Sequence, residues 1–182
     1  GLSTKQILQA GINFVPEDRH YHGIFKIRSI SSNTTSALLS GKDVGAVNMN
    51  RRRQSEISQK YVNDFRTKIV SLDDQIGSLS GGNQQKVVIG KWVNTDADIF
   101  IFDEPTRGID VGAKIEVYRV MNDLVKAGKC VIMVSSELPE ILAMSDHVVV
   151  MRGGRVMADI DRDTPHFNSE DIMKAAWGGE LD

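Results

Sequence analysis

The sequence predicts an α/β fold built on a parallel sheet. Ile99–Phe102 is an uninterrupted apolar run that suits a strand buried on both faces, as strands of parallel sheets are. Cys130–Val134 is a second run of this kind, and a helical pattern separates the two. Asp103 and Glu104 follow the first run, at the carboxyl end of the strand, where parallel sheets bind ligands. The alternation of strands and helices therefore predicts one domain around a parallel sheet.

The first half of the chain is predicted to carry few strands. Residues 4–10 form a short helix, Gly11–Val15 a brief strand, and Ser29–Thr35 the start of another helix. Gly41–Gly45 has the composition of a turn. An amphipathic helix is predicted over Arg51–Val70, because apolar residues recur at every fourth position, at Ile57, Tyr61, Phe65 and Ile69.

The second half of the chain alternates helices and strands. A helix is predicted over Val111–Ala127, with Gly128 as its stop and an apolar face formed by Ile115, Tyr118, Leu124 and Val125. Ser136 is a good N-cap for the next helix. Gly153-Gly154 separates two apolar runs and predicts a hairpin, and Asn168–Trp177 predicts a last short helix.

The overall composition excludes several classes of protein. The 182 residues carry a net charge of −2 and 41% hydrophobic residues, which is ordinary for a globular protein and gives no case for a nucleic-acid partner. Cys130 is the single cysteine, and its apolar surroundings predict a buried thiol in a reducing compartment. No apolar stretch approaches the roughly 18 residues of a membrane-spanning helix.

Two short stretches have the pattern of phosphate chemistry, and the first is a turn of small residues. Leu79–Asn83 precedes a helical pattern, and a helix N-terminus offers free N–H groups and partial positive charge to an anion. Gly81 and Gly82 allow the close approach of a ligand and a left-handed backbone. The alternative is an ordinary turn that caps a helix.

The second stretch is the pair of carboxylates after the apolar run. Asp103 can hold Mg²⁺ through water, while Glu104 positions or deprotonates an attacking water. The alternative is a strand that is followed by an acidic helix cap.

Together these motifs resemble the ATP-binding cassette ATPases. Leu79–Asn83 is similar to the family's signature motif, Asp103-Glu104 to the end of its Walker B strand, and Asp110 to its D-loop aspartate. The longer wording LSGGNQQKVVIGKW and DEPTRGIDVGAK is similar to the second, C-terminal cassette of bacterial sugar importers of the ribose, galactose and xylose type. In those importers two cassettes are fused in one polypeptide.

The resemblance implies a role for each matching residue, with ATP and Mg²⁺ as the cofactors. Catalysis would involve Glu104 and Ser136, and Mg²⁺ would be held by Asp103 and Glu17. The implied nucleotide contacts are Leu79, Ser80, Gly81, Gly82, Asn83, Gln84 and Asp110.

Two of these positions depart from the family pattern. Glu17 stands where the family often has glutamine and offers no amide donor, and Ser136 stands in place of a histidine and carries no cationic form. Both changes weaken the case that the site containing Glu104 hydrolyses ATP quickly.

The phosphate-binding loop Gly-x-x-x-x-Gly-Lys-Ser/Thr does not occur in the sequence. With the resemblance, this predicts a cassette truncated at its front, namely a partial P-loop NTPase (RecA-like) core that lacks the P-loop strand. Residues 1–20 and 95–182 would form that core, and residues 21–94 an inserted α-helical signature subdomain. The isolated chain is therefore predicted to be inactive.

The resemblance implies the ATPase component of a monosaccharide importer at the cytoplasmic face of the cell membrane. Its partners would be the N-terminal cassette of the same polypeptide, the transmembrane permease subunits and, indirectly, a sugar-binding protein. One alternative is a non-hydrolysing regulatory half of the cassette pair, and another is an importer of nucleosides. A repair or chromosome ATPase would insert long coiled coils before the signature, and no heptad array occurs here.

Overall fold

The computed structural model describes residues 1–40, 51–95 and 97–181. These fall into two compact units, Gly1–Val134 and Ser135–Asp182. The predicted turn at Gly41–Gly45 lies outside the described residues. The assignment of residues 21–94 to a separate helical subdomain stays a prediction. Within the described ranges, no helix is long and apolar enough to cross a bilayer.

The first unit combines five helices with three strands in its described residues. Its helices are α1 (Thr4–Gln9), α2 (Ile30–Thr35), α3 (Arg51–Asp64), α4 (Gly81–Val93) and α5 (Val111–Lys126). Its strands are β1 (Ile12–Val15), β2 (Ile99–Asp103) and β3 (Cys130–Val134). A π-helical turn at Arg19–Gly23 and 3-10 turns at Ser36–Ser40 and Ile76–Ser78 connect them.

The strands of the first unit form a parallel sheet of order β1-β2-β3, which confirms the predicted fold class. The register aligns Val15 with Phe102 and Phe102 with Met133. Asp103 pairs with Val134, so the carboxyl ends of β2 and β3 meet at one edge. This is the edge at which the sequence predicts a ligand site.

Only one face of this sheet is buried, which corrects the prediction that its strands are covered on both faces. Phe100 and Phe102 are 1% and 0% exposed, whereas Ile132 and Val134 on the other face are 47% and 51% exposed. Cys130 is also exposed, so the predicted buried thiol is wrong. Helices α4 and α5 contact β1 and β3, and in the described residues the face that carries Ile132 and Val134 is not covered to the same extent as the face that carries Phe100 and Phe102.

Helix α3 ends earlier than its apolar spacing predicts. It stops at Asp64 because Arg66 adopts a left-handed backbone with φ of 46°. The Thr67 N–H then donates to the Val62 carbonyl at 2.9 Å, which is the closing bond of a Schellman motif. Glycine is the usual residue at such a position, so arginine there gave no stop signal.

Helix α5 ends at the predicted stop, because Gly128 has a φ of 79°. Its buried stripe consists of Ala113, Val117, Met121 and Leu124. Of the apolar face predicted for it, only Leu124 is buried, and Ile115 and Val125 are 46% and 50% exposed. The stripe is displaced because the small Ala113 side chain lies at the contact with α4.

The second unit packs two helices against a β-hairpin. It contains α6 (Leu138–Met144), β4 (His147–Arg152), β5 (Arg155–Asp161) and α7 (Ser169–Ala176). The strands are antiparallel, and the turn between them is Gly153-Gly154, with φ of 56° and 77°, as predicted. Asn168 caps α7 by accepting from the Asp171 N–H. The core of this unit is formed by Val148, Val150, Ile160, Ile172 and Ala175.

Candidate functional site

The turn Ser80–Asn83 packs directly against the start of α5. A Cβ atom on Gly82 would lie 2.6 Å from Ala113 Cβ and 3.4 Å from Asp110 Oδ2. The left-handed glycines of the described chain do not include Gly81 or Gly82. The expectation of a left-handed backbone here is therefore wrong, and these glycines are needed for close approach between elements.

The start of α4 keeps its first-turn amides free of a side-chain cap. Ser80 occupies the N-cap position with an extended backbone but makes no capping hydrogen bond. Its Oγ instead accepts from Asn83 Nδ2 at 3.2 Å, and Asn83 Oδ1 accepts from the Lys68 N–H. Ser80 is exposed, so its hydroxyl and the helix dipole are available to an anion.

The two glutamines that follow have structural contacts. Gln84 is 7% exposed and donates to the Leu79 carbonyl at 2.9 Å, so it shapes the turn from inside. Gln85 is 2% exposed and donates to the Pro105 carbonyl at 2.8 Å. Sequence reasoning missed Gln85, although it joins α4 to the residues that follow the two carboxylates.

Asp103 and Glu104 lie where β2 leaves the sheet, and both are half-buried. The Glu104 N–H donates to the Val134 carbonyl at 2.9 Å, and the Glu104 carbonyl accepts from the Arg107 N–H at 3.1 Å. These bonds hold Glu104 at a φ of 45°, a left-handed conformation that glutamate rarely adopts. Backbone strain of this kind is concentrated at functional sites.

Asp110 caps helix α5. Its Oδ1 accepts from the Ala113 N–H at 3.0 Å, and its other oxygen is the one that faces Gly82. The residue therefore lies at the contact between the start of α4 and the start of α5. Its role as a nucleotide contact stays a prediction.

Glu17 is engaged in an ion pair with Arg107. Its carboxylate oxygen Oε1 is the paired atom, and both side chains are largely exposed. In residues 1–40, 51–95 and 97–181 no three histidine, cysteine, aspartate or glutamate side chains form a cluster that could hold a metal ion. The residues fit Mg²⁺ only in its common nucleotide-bound form, in which one or two carboxylates act with water and phosphate oxygens.

Ser136 belongs to the second unit and is exposed. It does not cap α6, which corrects the prediction, because the N-cap position is Glu137. The neighbouring Ser135 instead accepts from the Glu137 N–H through its Oγ at 3.0 Å. The short Ser-Ser-Glu turn places the helix start one residue later than the capping preference of serine suggests.

Comparison with known proteins agrees with these motifs. A family model described as ABC transporter matches residues 3–107, which is more than half of the chain. The chain belongs to the ABC transporter family. Ser80–Asn83, Asp103 and Glu104 all lie within the matched residues.

Similar ABC proteins are named as sugar import ATP-binding proteins. The ribose import ATP-binding protein of Hahella chejuensis is 44% identical over 97% of this chain and 35% of its own length. The xylose import protein of Moorella thermoacetica is 42% identical over 98% of the chain and 34% of its own length. An arabinose import protein of Burkholderia cenocepacia is 40% identical over 96% of the chain and 33% of its own length. The chain thus spans about a third of the length of these relatives.

Solved structures show the same fold. An ATP-binding cassette, solved as a dimer in a post-hydrolysis state with ADP and Pi, matches 88% of this chain and 68% of its own with a TM-score of 0.72. Its sequence identity is 15%, so the likeness shows the ABC ATPase fold alone.

Proposed function

We propose that this chain is part of the ATP-hydrolysing component of a bacterial importer for a monosaccharide. The observation that carries the proposal is the packing of the uncapped Ser80–Asn83 helix start beside the segment that follows the strained Glu104. Both are phosphate-chemistry elements, and one hydrogen bond, from Gln85 to Pro105, ties them together. The similar sugar import proteins support a monosaccharide as the cargo.

Asp103, Glu104 and Ser136 each have a proposed role in ATP hydrolysis. Asp103 would hold Mg²⁺, which neutralises charge on the transferred phosphate when bound. Glu104 would orient the attacking water and accept its proton, and its fixed backbone keeps the carboxylate in one place. Ser136 would donate a hydrogen bond to the γ-phosphate in the same cassette.

The signature residues would serve a second nucleotide site, across the interface with a partner cassette. Ser80, Gly81, Gly82 and Asn83 would meet the phosphates of ATP bound by that partner, with Leu79 and Gln84 supporting the turn. Positive potential at the start of α4 would stabilise charge that develops on the γ-phosphate. Asp110 would link this site to its own cassette through the contact between α4 and α5.

The proposed partners follow from the assignment of these residues to two nucleotide sites. The N-terminal cassette of the same polypeptide would bind the ATP that the Ser80–Asn83 turn meets, and transmembrane permease subunits would be driven by closure of the two cassettes. A sugar-binding protein would act indirectly by delivering cargo to the permease. The component would lie at the cytoplasmic face of the membrane.

A second candidate is a regulatory half that binds nucleotide without hydrolysing it. The ion pair of Glu17 with Arg107 favours it, because that contact engages the carboxylate proposed to reach Mg²⁺. Ser136 in place of a histidine favours it as well. The strained Glu104 favours hydrolysis instead.

The test is ATP hydrolysis by the full-length protein reconstituted with its permease in liposomes. Ribose, arabinose and xylose are each supplied with their binding protein, and nucleosides form a separate arm. The proposal predicts Mg-ATP hydrolysis that rises with one of the sugars, together with uptake of that sugar. Hydrolysis stimulated only by nucleosides would refute the sugar cargo, and an absence of hydrolysis would refute the ATPase role.

A further inference from the structure

The geometry points to Arg19 as a positioning residue that sets the signature turn Ser80–Asn83 against the turn Arg107–Gly108. This inference rests on the proposed ATPase function. Arg19 follows directly after Glu17-Asp18, and neither its residue type nor its spacing marked it in the sequence. Its role is visible only in the contacts of its guanidinium.

The Arg19 guanidinium lies between the two turns. Its Nη1 donates to the Arg107 carbonyl at 3.4 Å. Its Nη2 lies 2.9 Å from the point that a Cβ atom on Gly81 would occupy, so Gly81 leaves the space that the guanidinium fills. The Nε atom is buried and has no hydrogen-bond partner among the described residues. One side chain therefore touches both the signature turn and the turn that lies between Glu104 and Asp110.

The backbone of Arg19 is held in place independently of its side chain. Asp18 accepts from the His20 and Tyr21 N–H groups at 2.8 and 3.0 Å, and the bond from Tyr21 is the main cause that lowers the pKa of the Asp18 carboxyl. At the other end of the π-helical turn, the Gly23 carbonyl accepts from Lys91 Nζ at 2.6 Å. The loop is thus docked on α4, and removal of the Arg19 head group should leave the fold intact.

The charge of Arg19 is available to the signature turn. In residues 1–40, 51–95 and 97–181 no carboxylate forms an ion pair with it, whereas Arg107 is neutralised by Glu17. An unpaired guanidinium beside the N-terminus of α4 adds to the positive potential of the helix end. Its fork geometry also lets it contact two groups at once, which lysine cannot do.

The experiment measures kcat and KM for Mg-ATP in the full-length importer with Arg19→Met, Arg19→Lys and, as a matched control, Arg28→Met. Arg28 is an exposed arginine of the same segment. We expect Arg19→Met to lower kcat by about tenfold with KM changed by less than about threefold, because the signature turn acts when the cassettes close. Arg19→Lys should be intermediate, and Arg28→Met should behave as wild type.

A double variant tests the contact itself. Gly81→Ala should lower kcat less in an Arg19→Ala protein than in the wild type, because the steric conflict is then absent. Equal kcat in Arg19→Met and Arg28→Met would overturn the inference, as would an equal effect of Gly81→Ala in both backgrounds. If Arg19→Met fails to fold, wild-type kcat in Arg19→Lys would overturn it. A wild-type protein without ATPase activity would instead refute the proposed function on which the inference rests.

Discussion

At the scale of single residues, Glu104 combines a proposed catalytic carboxylate with an unfavourable backbone. Its φ of 45° is fixed by the hydrogen bonds to Val134 and from Arg107. A left-handed conformation costs a non-glycine residue roughly 1–2 kcal/mol. The surrounding sheet edge therefore stabilises a conformation that the residue itself disfavours, as at many active sites.

Glu104→Gly should be more stable than Glu104→Ala by about 1 kcal/mol, because only glycine adopts this backbone without strain. Both variants lack the carboxylate, so both should lose any hydrolysis at that site. The measurement is the free energy of unfolding by urea. The control pair is Asn122→Gly and Asn122→Ala on the exposed side of α5, where glycine should instead be the less stable by about 1 kcal/mol. If the alanine variant is more stable than the glycine variant at position 104, as it is expected to be at position 122, the backbone of Glu104 is not strained.

Lys91 is a buried lysine whose pKa differs from that of an exposed lysine. It is 6% exposed, and burial lowers its pKa from 10.5 to about 8. Above that folded value the folded chain binds fewer protons at this site than the unfolded chain does. The free energy of unfolding therefore increases as the pH rises from about 8 towards 10.5, the pKa of Lys91 in the unfolded chain. Below pH 8 the buried Lys91 is charged, and the cost of burying that charge lowers the stability of the folded chain.

Between about pH 8 and pH 9.5 this group should add about 2 kcal/mol to the free energy of unfolding. The window stays below the ordinary pKa of tyrosine, since burial also raises the pKa of Tyr61. Urea unfolding at several pH values measures the slope, and Lys91→Met is the control that should lack it. Identical slopes in the two proteins would contradict a depressed pKa at Lys91.

At the scale of elements, α4 is held by close contacts at both ends. Gly82 meets Ala113 of α5 at its start, and the Tyr61 ring of α3 occupies the space beside Gly90 near its end. Tyr61 is 2% exposed and stacks on Phe65 with ring centroids 4.4 Å apart. Glycine in α4 is thus explained by what packs against the helix and not by helix propensity.

Gly90→Ala should lower the free energy of unfolding by about 1–3 kcal/mol, because the new methyl group overlaps the Tyr61 ring. Propensity alone predicts the opposite sign, a gain of up to about 1 kcal/mol. In a Tyr61→Ala background the same change should become stabilising. A stabilising Gly90→Ala in the wild-type chain would contradict the packing of α3 on α4.

The elements also show what sequence reasoning could and could not predict. The parallel strands and their terminal carboxylates were predictable, because an uninterrupted apolar run followed by polar residues marks a strand and the point where it ends. The exposure of Cys130 was not, since it depends on which face of the sheet α4 and α5 cover. Arg66 ended α3 without a glycine, and Arg19 joins segments distant in sequence, so neither left a local pattern.

At the scale of the whole molecule, the proposed ATPase role needs a phosphate-binding loop in addition to the residues of this chain. It contains a signature turn and two carboxylates but no sequence of the phosphate-binding loop type. Most phosphate contacts in such folds come from that loop. The chain by itself should therefore be a poor nucleotide binder, although it carries residues of two proposed sites.

Titration calorimetry of the isolated chain with Mg-ATP should detect no binding tighter than about millimolar, equivalent to about 4 kcal/mol. The full-length protein under the same conditions is the positive control. A micromolar dissociation constant for the isolated chain would mean that the loop is dispensable and that the site is arranged differently.

We propose that the signature turn and Glu104 serve two different nucleotide sites, of which the Glu104 site is impaired by Ser136 and Glu17. The most direct test is steady-state ATPase activity of the reconstituted full-length importer with Ser80→Arg, Glu104→Gln and the control Ser78→Arg. Ser80 and Ser78 are both exposed, so arginine should be accommodated at either position.

Ser80→Arg should abolish most of the activity, because it places bulk against the γ-phosphate at the fully equipped site. Glu104→Gln should lower the activity by no more than about tenfold, or ~1.4 kcal/mol in the barrier, and Ser78→Arg should have little effect. Loss of activity in Glu104→Gln with a tolerated Ser80→Arg would contradict the account.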